Sequence, residues 1–305
     1  MGFFSASLLT AMVLSYLPAQ VNAESLTDSY DFDKKVYSDE LNKAAKDSAR
    51  NSKEFKVDQF SMSVNGNKLP REFFTKSETE SADKYLKQLE PDSISSNVVT
   101  EALTDYAYKW ESNQSYKGVA SSVTLPSTVS VAANTSGQYD VPYIYIGMNK
   151  ASNNDPKAEY GLHYLAASHA WVPFCGYHEN GVFKWWQGSP YYGSTADLKM
   201  KTDGYSGSLG KVDLYLNGVL VKDDALVDLV SDSVKIKRVN TIVKRTTVGA
   251  YSPMTWNNTS AFMNNAWYLW AESSTMTASP TNTVPSKTIT SGLSKYYNEN
   301  VGFNP

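Results

Sequence analysis

The chain of 305 residues contains a single cysteine, Cys175. One cysteine cannot form an intramolecular disulfide bond, so we expect the fold to depend on a hydrophobic core. A large excess of either charge sign is also lacking, because the chain has 28 basic and 31 acidic residues. This balance gives no global positive charge to attract a nucleic acid, and we expect no nucleic-acid partner.

Motifs for metal, nucleotide or nucleophile chemistry are missing as well. The three histidines lie close together in the sequence, near a cysteine and a glutamate: His163, His169, Cys175, His178 and Glu179. Their spacing matches no known zinc site, so we expect no metal and no cofactor. No Gly-x-Ser-x-Gly elbow is present to position a catalytic serine.

The first 23 residues contain no charged side chain. The stretch from Phe3 to Leu17 is largely apolar, and Val21-Asn22-Ala23 has the small-x-small pattern of a signal-peptidase site. This predicts a signal peptide at residues 1–23 and a secreted, extracellular protein with no stable membrane insertion after cleavage. A short anchor or a core helix is the alternative interpretation.

Charge divides the remaining chain into two segments. Residues 24–113 have a net charge of −5 and are rich in charged side chains, whereas residues 114–305 have a net charge of +2 and are poor in them. Such a shift in composition predicts a boundary between differently built units. The first unit is small and highly charged, which makes it a candidate pro-segment.

The first unit is predicted to be helical or α+β. A helix is expected from Ser38, as the N-cap, to about Lys53, and Asn65-Gly66 predicts a hairpin turn. A second helix should end before Pro91. A third is predicted from apolar residues at four-residue spacing: Val98, Ala102, Tyr106 and Trp110.

The second unit is predicted to be an antiparallel, concanavalin-like β-sandwich, or jelly roll. Between residues 212 and 216 apolar and polar side chains alternate, and Asn217-Gly218 then forms a tight-turn signal. Similar short runs recur about every ten residues, as in sandwich folds. The predicted strands are Gly118–Thr124, Tyr143–Met148, Tyr160–Leu165, Ala170–Phe174, Gly181–Trp186, Ala196–Met200, Lys211–Leu216, Val219–Val221, Val234–Arg238, Thr241–Val248 and Ala266–Trp270.

An aromatic cluster in the second unit is the strongest functional signal. Adjacent residues of a strand point to opposite faces, so one of Trp185 and Trp186 is expected in the core and the other on display. Aromatic faces stack on sugar rings, which favours a carbohydrate- or cell-envelope-polymer-binding protein. Simple core packing is the alternative. The candidate ligand-binding residues are Trp171, His169, Trp185, Trp186, Tyr191 and Tyr192.

Catalytic carboxylates are scarce in the second unit. A glycosidase needs two of them across one cleft. Among the few glutamates there, Glu159 and Glu272 are the only pair that we would test. A secreted hydrolase with a removable pro-segment is therefore the alternative function.

Three stretches carry a family resemblance: Pro142–Asn149, Glu159–Tyr164 and Ala170–Phe174. Their succession resembles YrpD-like secreted proteins, a group with no established activity, and the glutamic peptidases, or eqolisins. The second resemblance implies a Gln–Glu catalytic pair, with the Gln at the position of Glu159 and the Glu near Leu214–Leu220. This chain has Glu at the first position and no Glu at the second.

Overall fold

The computed structural model describes residues 30–50, 52–57, 61–64, 67–70, 106–135, 137, 139–150, 156–229, 234–243, 245–270, 276–279, 287–290 and 299–303. In these ranges one helix and nineteen strands are present, and the strands form two antiparallel sheets of a sandwich. The predicted mainly-β, antiparallel fold class is confirmed. The predicted signal peptide, the predicted turn at Asn65-Gly66 and the predicted second helix lie outside the described residues and stay predictions.

Sheet A has ten strands, numbered here in chain order. Across the sheet they are β17 (Met276–Ser279), β4 (Tyr106–Tyr116), β14 (Val234–Val243), β7 (Val141–Lys150), β8 (Pro156–Leu165), β9 (Ala170–Glu179), β10 (Val182–Gln187), β1 (Lys53–Val57), β2 (Ser61–Val64) and β3 (Asn67–Pro70).

Sheet B packs against one face of sheet A. Across this sheet the strands are β13 (Val219–Val227), β12 (Leu209–Leu216), β11 (Thr195–Ser206), β5 (Gly118–Thr124), β15 (Ala250–Met263), β19 (Glu299–Phe303) and β18 (Lys287–Thr290). Two shorter strands, β6 (Val129–Ser130) and β16 (Ala266–Leu269), pair with β15.

The core lies between the sheets, because alternate residues of each strand point inward. On β7 these are Ile144, Ile146 and Met148, all with no solvent exposure. Leu198 and Met200 of β11 are equally buried and belong to the same cluster. Burial of each such side chain contributes roughly 1.5–3 kcal/mol, which allows a fold without disulfide bonds.

The predicted hairpin at Asn217-Gly218 is confirmed. Both residues have positive φ, 47° and 75°, as a tight turn between twisted strands requires. The Asn217 side-chain amide also donates hydrogen bonds to the Leu41 carbonyl (3.2 Å) and to the Tyr191 hydroxyl (2.9 Å). The turn is therefore attached to residues far away in the sequence.

The N-terminal helix α1 (Asp39–Arg50) is close to its prediction. The Ser38 hydroxyl accepts a hydrogen bond from the Leu41 amide at 3.3 Å, as an N-cap does. Ala45 is completely buried in the core, so the helix is part of the sandwich. No helix within the described ranges is long and apolar enough to cross a membrane.

The predicted third helix is wrong in its C-terminal part. Tyr106 and Trp110 lie on strand β4, where Trp110 pairs with Arg238 of β14. A four-residue spacing is even, so it also places residues on one face of a strand, and the pattern could not distinguish the two structures. The proposed boundary between residues 113 and 114 falls within β4.

Candidate functional site

The outer face of sheet A, which points away from sheet B, carries the largest group of chemically active side chains. It is defined by the odd-numbered residues of β4, β7, β8, β10 and β14 and the even-numbered residues of β9. In an antiparallel sheet, residues directly opposite one another share a face. The registers therefore place these side chains together.

An aromatic cluster runs across this face, consisting of Phe183, Trp185, Phe174, His163 and Tyr143. Trp185 stacks on Phe174 with ring centroids 4.8 Å apart, and Tyr143 stacks on His163 at 5.7 Å. His163 contacts Phe174 edge to face at 5.6 Å, which joins the two stacks. Four members are almost fully buried, with exposures of 1–7% for His163, Phe174, Trp185 and Tyr143.

Burial determines the protonation of His163. Because the imidazolium would lose its hydration, burial lowers the pKa of His163 to about 3, although a hydrogen bond with Gln187 acts in the opposite direction. His163 is therefore neutral at physiological pH. It belongs to the aromatic cluster of the outer face.

An ion pair lies beside the aromatic cluster. Lys237 of β14 contacts the Glu159 carboxylate at 2.5 Å, with side-chain exposures of 5% and 32% respectively. Gly147 lies between them in the register, and a Cβ there would approach the Lys237 Cε to 2.7 Å. The absence of a side chain at Gly147 thus gives the lysine stem its path to Glu159.

Tyr145 completes this polar group. Desolvation, followed by the charge and hydrogen bond of Glu159, raises the pKa of the Tyr145 phenol well above its usual value. A Cβ at Gly161 would lie 2.6 Å from the Tyr145 Cβ, so only glycine fits there. A carboxylate, an ammonium group and a phenol hydroxyl are therefore in contact here, supplied by Glu159, Lys237 and Tyr145.

A second carboxylate, Glu111, lies on the same face. It accepts hydrogen bonds from Asn149 Nδ2 and Lys109 Nζ, both at 2.8 Å. Burial alone would raise the pKa of Glu111, but these two hydrogen bonds outweigh it and hold the pKa below its usual value. Sequence reasoning missed Glu111, Asn149 and Lys237, because only the strand register brings them together.

The other glutamates of the predicted second unit pair with other residues or lie outside the described residues. Glu179 pairs with Lys184, and Glu299 binds Arg238 at 2.6 Å between the two sheets. Glu272 lies outside the described residues, so the predicted Glu159–Glu272 pair stays a prediction.

The predicted aromatic display is wrong for four of its rings. Trp185 and Trp186 do point to opposite faces, as predicted, but each is only 3% exposed. Trp186 and Trp171 pack in the core between the sheets. Tyr191 is also buried. Its hydroxyl donates a hydrogen bond to the Thr195 carbonyl, and its backbone forms an isolated β-bridge with Trp171.

Two predicted ligand-binding residues are exposed. Tyr192 has 80% of its surface exposed. His169 is exposed in the turn between β8 and β9, where it has a φ of 49°. The three histidines do not converge on one site, because His163 is buried on the outer face of sheet A.

Tyr192 lines a shallow groove of about 420 Å³ beside helix α1. The helix is fixed there by Ser48, whose hydroxyl donates to the Ser189 carbonyl at 2.7 Å, and by the Ser189 amide, which donates to the Ser48 carbonyl at 3.0 Å. The groove combines one exposed ring with charged and hydroxyl groups. Its lining is Glu40, Lys43, Ala44, Asp47, Ser189, Pro190 and Tyr192.

Three aspartates lie close enough to hold a cation on the β12–β13 hairpin: Asp213, Asp223 and Asp224, whose carboxylate oxygens are within 4.8 Å of one another. Protein groups already engage two of them. Lys211 contacts Asp224 at 2.5 Å, and the Asp224 amide donates to Asp213 at 3.1 Å. The aspartates lie at a register shift between β12 and β13, where Asp224 has a φ of 44°.

Comparisons with known proteins give a limited result. No family model matches the chain, and no curated protein matches it. The fold is similar to the crystal structure of scytalido-glutamic peptidase with a peptide-based transition-state analogue, with a TM-score of 0.41, 8% identity, and coverage of 66% of this chain and 100% of the peptidase.

A second similar structure is SCP-B, a member of the eqolisin family of peptidases, in complex with the tripeptide Ala-Ile-His. Here the TM-score is 0.37 and the identity 10%, with the same coverage. Both similar structures are eqolisin-type peptidases, one of the two groups that the sequence resembles. The YrpD-like and concanavalin-like assignments stay predictions.

Proposed function

We propose that the protein is a secreted binder of a carbohydrate or cell-envelope polymer, and that its binding site is the groove between α1 and Tyr192. The observation that carries this proposal is the exposed ring of Tyr192 beside the carboxylates of Glu40 and Asp47. A ring face takes the C–H side of a sugar, while carboxylates and hydroxyls accept and donate hydrogen bonds to its hydroxyl groups.

The groove differs in one respect from the aromatic display that the sequence predicts. A single ring, not a platform of several, is available, so we expect weak binding at each site and a preference for repeating polymers. Stacking of one ring is worth about 1 kcal/mol, which is about a fivefold change in affinity.

The test is retention on polysaccharides and on a glycan array. Tyr192→Ala should weaken retention by about fivefold while the thermal unfolding curve is unchanged, since the residue is exposed. Tyr192→Phe keeps the ring and should retain most of the binding. Tyr205→Ala is the matched control, because Tyr205 is exposed on β11 away from the groove.

Two outcomes contradict the proposal. One is the absence of wild-type retention on every glycan tested. The other is retention of Tyr192→Ala equal to that of the wild type.

A second candidate function is a hydrolase on the outer face of sheet A. It is favoured by the contact of Glu159 with Lys237 and Tyr145. Glu159 would accept a proton from water, and Lys237 would stabilise the negative charge that develops on the substrate. The bond cleaved would be a peptide or a glycosidic bond.

Glu159→Gln tests this candidate with protein and polysaccharide substrates. It should lower any hydrolysis at least about a hundredfold, whereas Glu111→Gln is the matched control on the same face. Equal activity of the Glu159→Gln variant and the wild type rules out this role for Glu159.

A further inference from the structure

We propose that the protein forms a covalent cross-link on the outer face of sheet A, an amide bond between the side chains of Lys237 on β14 and Asn149 on β7. Glu111 transfers the protons in this reaction. The inference does not rest on the proposed function, since the Tyr192 groove lies elsewhere. It competes with the second candidate function, because an amide nitrogen at Lys237 cannot carry the positive charge assigned there.

The register of β7 and β14 brings the two side chains within reach of each other. Lys237 lies opposite Gly147, so Asn149 is its diagonal neighbour on the same face. Such neighbours are about 7–8 Å apart, a distance that long side chains span. The Lys237 stem already lies over Gly147, where a Cβ would meet its Cε at 2.7 Å. A rotamer change at the end of this stem turns the amine from Glu159 towards Asn149.

The other two lysines of this face are less well placed. Lys109 lies two strands, or about 10 Å, from β7. It is also opposite Val239, which is about 14 Å along β14 from the residue that faces Asn149. One lysine–asparagine amide cannot bridge both offsets. Lys235 lies directly opposite Asn149, so its long side chain would have to fold back on itself.

Glu111 lies where the reaction needs an acid–base group. Its Oε1 atom accepts a hydrogen bond from Asn149 Nδ2 at 2.8 Å, and its strand position is directly opposite Lys237. Burial acts to raise the pKa of Glu111, but hydrogen bonds from Lys109 and Asn149 outweigh it and hold the pKa below its usual value. The carboxylate is therefore ionised and can accept a proton from the Lys237 ammonium group.

Asn149 is a poor choice for a purely structural residue. Its side chain is 1% exposed, and its Oδ1 atom has no hydrogen-bond partner among the described residues. A buried acceptor without a partner destabilises a fold, so its presence calls for another explanation. An electrophilic amide carbon beside a carboxylate and within reach of an amine supplies that explanation.

The reaction needs no oxidant, reductant or cofactor. The Lys237 ammonium group gives one proton to Glu111, and the neutral amine attacks the Cγ atom of Asn149. The Nζ–Cγ bond forms and the Cγ–Nδ2 bond breaks. The proton on Glu111 and a second proton from Nζ pass to Nδ2, which leaves as an ammonium ion while Glu111 returns to a carboxylate. Fixed positions favour this step, because they replace an encounter between separate molecules.

The bond would give a covalent cross-link to a chain that has only one cysteine. It joins two neighbouring strands of sheet A that are far apart in the sequence. A cross-link that closes a long loop lowers the entropy of the unfolded chain. Variants without the bond should therefore unfold at a lower temperature than the wild type.

Mass spectrometry of the full-length chain tests the proposal directly. The wild type should be lighter by one ammonia than the sequence between its observed termini, and digestion should release a branched peptide that joins residues 149 and 237. Lys237→Arg keeps the positive charge beside Glu159 and should show no loss of mass. Lys235→Arg is the matched control on the same strand and should be linked like the wild type.

Two outcomes overturn the proposal. One is a wild-type mass equal to that of its sequence, with the peptides of residues 149 and 237 unlinked. The other is a branched peptide that joins Asn149 to a lysine other than Lys237.

Glu111→Ala tests the role of the carboxylate, because it leaves both linked residues in place. The branched peptide should be lost while the circular dichroism spectrum stays that of a β-sandwich. Glu111→Asp keeps a shorter carboxylate and should restore part of the linkage. Full linkage in Glu111→Ala overturns the assignment of proton transfer to Glu111. The wild-type peptides decide whether the bond exists, even where a Glu111 variant does not fold.

Discussion

The outer faces of the two sheets differ in how their apolar side chains are covered. On sheet B a short, described segment, residues 30–37, lies over the strands. Phe32 packs on Trp267, while Lys35 binds Asp197 at 2.5 Å and Asp33 binds Lys199 at 2.6 Å. On sheet A the rings of Trp185 and Phe174 are as deeply buried.

The comparison indicates how a sandwich without disulfide bonds can protect both of its outer faces. Sheet B uses charge pairs as well as rings, so its cover is held at defined points. Sheet A presents a nearly continuous aromatic diagonal, and two ion pairs lie beside it, Lys237–Glu159 and Lys109–Glu111.

The largest effect is expected from removing the apolar contact on sheet B. Phe32→Ala should destabilise the protein by about 4 kcal/mol, because it leaves a cavity against Trp267 and Phe262. Chemical denaturation measures this. A loss of less than about 1 kcal/mol would contradict the role of Phe32 in holding residues 30–37 on sheet B.

Acid should act on sheet A before it acts on sheet B. The pKa of His163 is lowered on folding, so the unfolded chain binds the extra proton first. Stability should fall by about 1.4 kcal/mol per pH unit from about pH 6.5 downward, and this slope should end only near the folded pKa of about 3. In His163→Phe, which keeps a ring, the slope should be reduced by this amount.

The carboxylate of Asp33, in the segment that covers sheet B, responds at lower pH. Burial acts to raise the pKa of Asp33, but hydrogen bonds from Lys199 and Trp267 outweigh it and leave the pKa below its usual value. The stability that the ionised Asp33 carboxylate contributes is present above about pH 4 and is lost below that pH. Equal slopes of wild type and His163→Phe between pH 6.5 and 4.5 would contradict this separation.

A smaller effect is expected from the charge pair on sheet B. Asp197→Asn should cost about 2 kcal/mol, because Lys35 then loses its charged partner in a half-buried setting. Asp203→Asn, on the same strand but exposed, is the control and should stay within about 0.5 kcal/mol of the wild type. Equal stability of both variants would show that the pair does not hold the cover.

The sequence predicted most strands of the second unit because alternation and turn residues agree there. The β12–β13 hairpin with Asn217-Gly218 is one example, and β5 was predicted with its observed bounds. Strand β15 was missed because it contains Pro253 and the pair Asn257-Asn258, which are typical of loops. Both are accommodated at register shifts, the second with a positive φ at Asn258.

The candidate site was harder to predict for a physical reason. The alternation of side chains along a strand predicts which face of the sheet carries Trp185. It does not predict whether another segment covers that face. Likewise Glu159 and Lys237 are 78 residues apart, and only the pairing of β14, β7 and β8 brings them into contact. Burial and long-range register are tertiary properties that a single sequence does not specify.

The most direct measurement of the central claim is hydroxyl-radical footprinting of Trp185 and Trp267, read by mass spectrometry. In the intact chain both should be protected. In the same sample the exposed ring of Tyr192 should be oxidised several times faster than either tryptophan, while Trp267 is shielded by Phe32 and Asp33. Oxidation of Trp185 as fast as that of Tyr192 would contradict the account.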